Sequence, residues 1–186
     1  MNEMTRIAAA PVEEVRTRIT TAEFFHMDDC GAFADLKVEL VDGELQFVQR
    51  PKNSHAMRQA QVVFSLAQAV GIERVRGELA LDLGEDTVLV CDAAVLKAPL
   101  ADDRLVRADE LSLLVEVSVT TRKRDLGMKR LKYAAAGSHA YWVVDAEHEV
   151  VQVHGRPVDG DYLNVSTVGF GKPLAVSDTG ATITLT

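Results

Sequence analysis

The sequence predicts an α/β fold in which helices flank a mixed β-sheet. Three strand-like runs follow one another, and the second and third are apolar on both faces, which is typical of strands covered by other layers. These runs span about 74–83, 87–97 and 112–118. A helical pattern precedes them at 53–70, another follows at 125–136, and the strand-like run AYWVVD comes next. The predicted order of elements over residues 53–145 is therefore α-β-β-β-α-β.

The size and composition are those of one globular domain. A chain of 186 residues can build a substantial core, and its 47% apolar and 26% charged residues are ordinary for a globular protein. The first residues lack the apolar core of a signal peptide, and no apolar run approaches the roughly 20 residues that span a bilayer. We expect a single domain over 1–186 without a membrane segment. Its core is at about 53–145, an N-terminal helix and hairpin lie at 20–49, and C-terminal strands lie at 149–186.

The two cysteines favour a cytoplasmic location. Cys30 and Cys91 are far apart in sequence and match no metal-ligand spacing. We expect both to be reduced thiols, as in a bacterial-type cytoplasm, and we favour plain buried cysteines over reactive ones.

The charge distribution is uneven. A formal net charge of −8 argues against a broad, positively charged surface that binds nucleic acid. Residues 122–132, however, hold six of the twenty basic residues and a single acid, Asp125. Two interpretations stay open for this run: a solvated helix face, which is the commoner case, or a phosphate-binding site.

The N-terminal elements carry local signals. Thr20 and Glu23 fit a capping box that opens the short helix TAEFFHMDD. The runs LKVELV and ELQFV flank Asp42-Gly43, which supplies the positive φ angles of a tight turn, so a hairpin is predicted.

The remaining elements follow from caps and breakers. Asn53 or Ser54 can cap the helix that runs to about Val70, where Gly71 ends it. A second helix is stopped by Gly137, and the C-terminal strands most simply extend the same sheet.

Two carboxylates stand in the middle of the doubly apolar strands. Asp92 lies within VLVCDAAVL and Glu116 within LLVEVS. An ionised carboxylate in such a strand is costly unless it is paired, hydrogen-bonded or metal-bound. If the strands are neighbours, both side chains can point the same way and bind one cation. Hard oxygen ligands suit Mg²⁺, which takes one or two carboxylates and keeps several waters. Structural, hydrogen-bonded acids are the alternative.

The second helix presents a stripe toward these acids. Asp125, Lys129 and Tyr133 follow one another at intervals of four, so they share one face. We expect Lys129 to reach the carboxylate pair. The alternative is an exposed Asp125–Lys129 pair, worth only about 0.3–0.5 kcal/mol.

These motifs together resemble a known family. The hairpin VELVDGEL, the strand LVCDAAV and the segment VEVSVTTRKRDLGMKRLKYAAAGSHAYWVVD are similar to the Uma-two family of putative restriction endonucleases, which is placed in the PD-(D/E)xK nuclease superfamily. The resemblance extends from about Thr20 to Val153. The superfamily core is α-β-β-β-α-β, so a restriction-endonuclease-like fold is implied.

The resemblance implies metal-dependent hydrolysis of phosphodiester bonds, with Asp92 and Glu116 as ligands of Mg²⁺ or Mn²⁺. The lysine normally found two residues after the glutamate is replaced by Ser118, and Lys129 on the following helix is implied to stand in for it. Glu39 matches an upstream glutamate that is a further ligand or orients water. His55 matches a position near the mouth of the site. Tyr133 and Ser118 are expected at the periphery.

Two function classes remain open. The first is an endonuclease on DNA, or conceivably RNA, acting as a homodimer so that both strands are cut. The second is a catalytically weak or inactive module of the same fold that binds nucleic acid or a protein. The first predicts a concave site with Asp92, Glu116 and Lys129 within a few ångströms of one another.

Overall fold

The structure, a computed structural model, describes residues 17–102, 104–119 and 121–186. Its helices are α1 (Thr21–Asp29), α2 (Asn53–Val70), α3 (Arg122–Arg124) and α4 (Arg130–Ala135), with a π-helical turn at Asp125–Lys129. Short 3-10 turns lie at Ile72–Arg74 and Ala108–Glu110. The strands are β1 (Val38–Val41), β2 (Glu44–Phe47), β3 (Val75–Asp82), β4 (Val88–Leu96), β5 (Val106–Arg107), β6 (Leu111–Ser118), β7 (Ala140–Asp145), β8 (Val150–Val158), β9 (Asp161–Gly169), β10 (Pro173–Ala175) and β11 (Thr182–Thr184).

Nine of these strands form one mixed sheet, as the sequence predicts. The order is β2-β1-β4-β6-β7-β8-β9, with β3 on the other side of β4 and β5 beside β3. β6 and β7 are parallel and are joined through α3 and α4, whereas β4 and β6 are antiparallel. The strands that carry Asp92 and Glu116 are therefore neighbours. β10 and β11 form a separate two-stranded sheet, so the expectation that the C-terminal strands extend the main sheet is correct for β8 and β9 and wrong for β10 and β11.

The sheet is covered on both faces. On one face α2 packs Val62 and Leu66 against Val115 and Trp142, and the β10–β11 hairpin joins the same core. On the other face α4 packs Tyr133 against Leu114 of β6 and its neighbours. This explains why β4 and β6 are apolar at nearly every position. No helix within the described ranges is long and apolar enough to cross a membrane.

The regular pairing of β4 with its neighbouring strands is interrupted in the middle of β4. Along one edge of β4, β1 pairs at Val88, and the pairing with β6 begins only at Ala93. On the other edge, the pairing with β3 skips Asp92 because Glu78, the residue opposite, has a positive φ of 48°. Backbone groups between Val88 and Ala93 must therefore find partners outside the regular ladder.

Two local expectations need correction. α2 has the expected bounds, but Lys52 is at its N-cap and makes no side-chain hydrogen bond there, so neither Asn53 nor Ser54 is the cap. The helix predicted from Asp125 begins at Arg122. Its first three residues form α3, and the π-helical turn follows before α4. The capping box of Thr20 and Glu23 and the hairpin of β1 and β2 are confirmed.

A row of aromatic rings lies on the face that carries α4. Tyr141 stacks on His154 at 5.6 Å and on Tyr162 at 6.1 Å between ring centroids. His154 is buried, and neither of its ring nitrogens has a hydrogen-bond partner in the described part of the chain. Burial, with Arg130 nearby, lowers the pKa of His154 from 6.5 to about 4.

We expect His154 to contribute a decrease in the free energy of unfolding as the pH falls from about 6.5 toward 4. In that window the unfolded chain binds a proton on His154 that the native state does not, whereas above 6.5 the imidazole is neutral in both states. The loss from this residue approaches about 3 kcal/mol. Urea denaturation at several pH values measures it. His154→Phe should flatten this slope, and His26→Phe, at an exposed position on α1, should not. An unchanged slope in His154→Phe would contradict the assignment.

Candidate active site

Side chains of the predicted site occupy the opening beside β4. The Val90 N–H donates to Glu39 Oε1 at 3.1 Å, and the Val90 carbonyl accepts from Lys129 Nζ at 2.9 Å. The Val117 N–H donates to Asp92 Oδ2 at 2.7 Å. Carboxylates and an ammonium thus replace the missing strand-to-strand hydrogen bonds, and each is held on a rigid element.

Lys129 lies at the centre of this arrangement. Its Nζ is 2.8 Å from Glu116 Oε1 and 3.4 Å from Glu39 Oε1. The hydroxyl of Tyr133 donates to the same Glu116 oxygen at 2.6 Å. Lys129 is only 4% exposed and Glu116 3%. The expected approach of Lys129 to the carboxylates is therefore present, and an exposed Asp125–Lys129 pair is wrong because Asp125 is also buried.

Asp92 is held from the side of α2. His55 Nε2 lies 3.2 Å from Asp92 Oδ2, and Gln59 Nε2 donates to the Asp92 carbonyl at 2.9 Å. The two side chains are one helical turn apart, so α2 contacts both the carboxylate and the backbone of one residue. The sequence analysis placed His55 near the site but did not anticipate Gln59, whose polar side chain at a position facing the sheet was the available signal.

Asp125, at the start of the π-helical turn, adds a further carboxylate to the buried part of the structure. Asp125 is buried and accepts a hydrogen bond from Thr121 Oγ1 at 2.5 Å. Arg124 forms an ion pair with Glu39. A π turn adds a residue to the helical repeat and is frequent at functional sites. Glu39 thus contacts Arg124 of α3 and Lys129 of the π-helical turn, and these contacts join the hairpin to the helical segment.

Ser118 does not take part in these contacts. It is buried two residues beyond Glu116, and its Oγ has no hydrogen-bond partner among the described residues. A neutral hydroxyl therefore stands two residues after Glu116.

Burial and neighbouring charges set the protonation of the site. Burial raises the pKa of Glu116 to about 8; Lys129 opposes this rise and the Asp92 carboxylate adds to it. Burial by itself lowers the pKa of Lys129, but the carboxylates of Glu116 and Glu39 outweigh it and raise that pKa. Burial likewise raises the pKa of Asp92, but the hydrogen bonds from His55 and Val117 outweigh it, so that pKa is lowered. Asp92 is therefore ionised at neutral pH.

The basic run is already neutralised by acids of the same chain. Five of its six cations form ion pairs within the described ranges, and Lys123 is the sixth. The pairs are Arg122–Asp145, Arg124–Glu39, Lys129–Glu116, Arg130–Asp161 and Lys132–Asp42. These ion pairs connect the helical segment to the sheet and hairpin. Whether the run is otherwise a solvated face or a phosphate-binding site stays open.

The donor set fits a magnesium ion that keeps most of its waters. Among the described residues, no group of three or more His, Cys, Asp or Glu side chains is placed to hold a metal. Magnesium does not need such a cage, since one or two carboxylates suffice. The contacts above engage Oδ2 of Asp92 and Oε1 of Glu116. The second oxygen of each carboxylate is thus the acceptor that could serve a cation.

The expected concave site is only partly present. Lys129 contacts Glu116, while Asp92 joins them through the backbone of Val117. Two cavities of about 730 and 840 Å³ are lined by other residues, around Trp142 and around Thr21 respectively.

The fold and this site define the class of protein. The structure is similar to the crystal structure of a putative nuclease belonging to DUF820 from Anabaena variabilis, with a TM-score of 0.65 and 18% sequence identity. The match covers 87% of this chain and 91% of the other, so the chain shares the fold of that protein.

The sequence identifies the family within that class. The Uma2 family, described as "Putative restriction endonuclease", matches residues 21–186, and the chain belongs to it. The resemblance to the Uma-two family is thereby confirmed. Among curated proteins, no sequence matches this chain.

Removing the buried ammonium should be costly. We expect Lys129→Met to lower the free energy of unfolding by about 3–5 kcal/mol at pH 7, because it leaves buried acids without a counter-charge. The control Lys132→Met removes a more exposed pair with Asp42 and should cost less than about 1 kcal/mol. Urea denaturation measures both. Adding Glu116→Gln to Lys129→Met should recover part of the loss, and equal losses in the two single variants would contradict this account.

Proposed function

We propose that this chain is a metal-dependent endonuclease that hydrolyses phosphodiester bonds in DNA, with Mg²⁺ as its natural cation and Mn²⁺ able to replace it. Membership of the family and the nuclease-class fold support the reaction class. One observation carries the proposal: Asp92 and Glu116 are buried on neighbouring strands where the sheet opens, with a lysine bonded to one of them.

In this proposal Asp92 and Glu116 hold the metal. A cation held by these two carboxylates would supply a water of lowered pKa and a positive charge beside the phosphate oxygens. Asp92 contributes a carboxylate that is ionised in advance, because hydrogen bonds from His55 and Val117 lower its pKa. Burial raises the pKa of Glu116, and a bound cation would oppose that rise as Lys129 does.

Lys129 supplies the positive charge that Ser118 cannot. Its ammonium orients Glu116 and lies where a scissile phosphate bound beside that carboxylate gains a counter-charge. Tyr133 fixes the same Glu116 oxygen from the helix. Glu39 and Arg124 brace Lys129 from the hairpin side. A homodimer in the cytoplasm, which would let two such sites cut both strands, completes the proposal.

The alternative is a module that keeps the fold but does not cleave. The ion pairs of the basic run favour this module, because five cations that could bind phosphates are already paired with acids. The net charge of −8 points the same way.

Cleavage of supercoiled plasmid and of single strands distinguishes the two. We expect nicking that requires Mg²⁺ or Mn²⁺ and falls at least about a hundredfold in Asp92→Asn and in Glu116→Gln, since each removes a ligand. Asp42→Asn, an exposed carboxylate on the hairpin, is the matched control and should retain activity.

Calorimetry with Mn²⁺ on the same variants reports binding apart from cleavage. Metal binding without cleavage by the folded wild type would favour the inactive module. Neither binding nor cleavage would make the carboxylate pair structural.

A further inference from the structure

An ion pair outside the basic run crosses β4 beside Asp92. Lys37, which directly precedes β1, has its Nζ 3.3 Å from Oε1 of Glu78 on β3. β1 and β3 pair with opposite edges of β4, and Glu78 is the residue opposite Asp92. The Lys37 side chain must therefore pass across β4 to reach its partner. The pair lies next to the part of β4 where the regular pairing is interrupted.

The electrostatics of His55 show that this ammonium acts on the carboxylate site. The hydrogen bond with Asp92 raises the pKa of His55, while burial and the positive charge of Lys37 oppose that rise. The imidazole itself lies 3.2 Å from Asp92 Oδ2. Lys37 and Asp92 thus both act on one imidazole, and a phosphate group held at Asp92 would lie within the field of the Lys37 ammonium.

Lys37 differs from the central lysine of the site in the exposure of its partner. Lys129 contacts Glu116, whose side chain is 4% exposed, and cannot leave it without stranding a buried carboxylate. The Glu78 side chain is 53% exposed, so water can replace Lys37 beside it at little cost. The Lys37 ammonium can therefore change partners, whereas the Lys129 ammonium is fixed.

The backbone of Glu78 is in a conformation that its residue type seldom adopts. Its φ of 48° lies in the left-handed region, which favours glycine. Strained residues of this kind cluster at ligand clamps and switch regions, where the surrounding structure holds them. A glutamate here supplies the carboxylate that pairs with Lys37, and a glycine would supply none.

We propose that Lys37 binds a phosphate group of the nucleic-acid substrate beside Asp92, and that Glu78 holds this ammonium in the free protein until the phosphate displaces it. The contact rests on the proposed function, because a phosphodiester must occupy the carboxylate site. A phosphate oxygen accepts a charge-assisted hydrogen bond from the ammonium as the carboxylate does, so the two compete directly. Glu78 weakens the binding of every nucleic acid alike, since phosphate contacts carry no sequence information.

Anisotropy of a short labelled DNA duplex, measured in Ca²⁺ at several salt concentrations, tests the contact, and a gel of each sample checks that the duplex stays intact. We expect Lys37→Gln to weaken binding at least about tenfold and to lower the salt slope by about 0.9, the value for one phosphate contact. Glu78→Gln should tighten binding about two- to fivefold, because it removes the competitor. In a Lys37→Gln background, Glu78→Gln should no longer tighten binding.

The ion pair of Arg107 and Asp109 supplies matched controls. Its atoms are 3.1 Å apart and Asp109 is 50% exposed, so Asp109→Asn removes an exposed, paired carboxylate as Glu78→Gln does. Arg107→Gln removes one cation as Lys37→Gln does. Both control residues precede β6, at the end of that strand remote from the carboxylate site. Neither control should change the affinity or the salt slope.

Steady-state cleavage in Mg²⁺ separates this contact from the nuclease activity. We expect Lys37→Gln to raise KM and to leave kcat within about twofold, since the contact holds substrate and transition state alike. A wild type that cleaves, with unchanged KM and affinity in Lys37→Gln, would overturn the contact and leave the nuclease standing. A wild type that binds DNA without cleaving it, with the expected effects of both substitutions, would contradict the nuclease and support the contact. Failure of Glu78→Gln to bind DNA would overturn the contact.

Discussion

The structure depends on the cost of burying charge in the middle of a sheet. Asp92, Glu116 and Glu39 lie on three strands that have little access to water, and a buried carboxylate needs a counter-charge or hydrogen bonds. Lys129 is the counter-charge of Glu116 and Glu39. Asp92 accepts a hydrogen bond from a backbone N–H and contacts an imidazole. The opening of β4, the positive φ of Glu78 and the π-helical turn are all arrangements that make these contacts possible.

Much of the fold was predictable because its signals are local. Apolar alternation, glycine positions and one capping box are short-range patterns, and they predicted the order of elements and the mixed sheet covered on both sides. The sequence analysis left open whether the strands of Asp92 and Glu116 are neighbours, and the pairing of β4 with β6 shows that they are. The stripe on the second helix indicated Lys129, and the family resemblance added Glu39. The contacts of Lys129 with Glu116 and Glu39 connect the hairpin, a strand and the helical segment.

The rest of the site could not be predicted because it depends on contacts between residues far apart in sequence. Gln59 reaches Asp92 across 33 positions, and Lys132 reaches Asp42 across 90. Composition records that residues 122–132 are basic, but the partners of those cations come from β1, the hairpin turn, β6, β7 and β9. The π-helical turn has no sequence signature of its own, since it forms only where a buried partner draws the helix inward.

Anomalous diffraction from crystals grown with Mn²⁺ tests the central claim most directly. The account predicts one strong peak within about 2–2.5 Å of a carboxylate oxygen of Asp92 and one of Glu116, with waters completing the coordination. It also predicts that Lys129 remains beside Glu116. A saturating Mn²⁺ concentration that leaves this position without a peak, or that places the ion among other residues, would contradict the account.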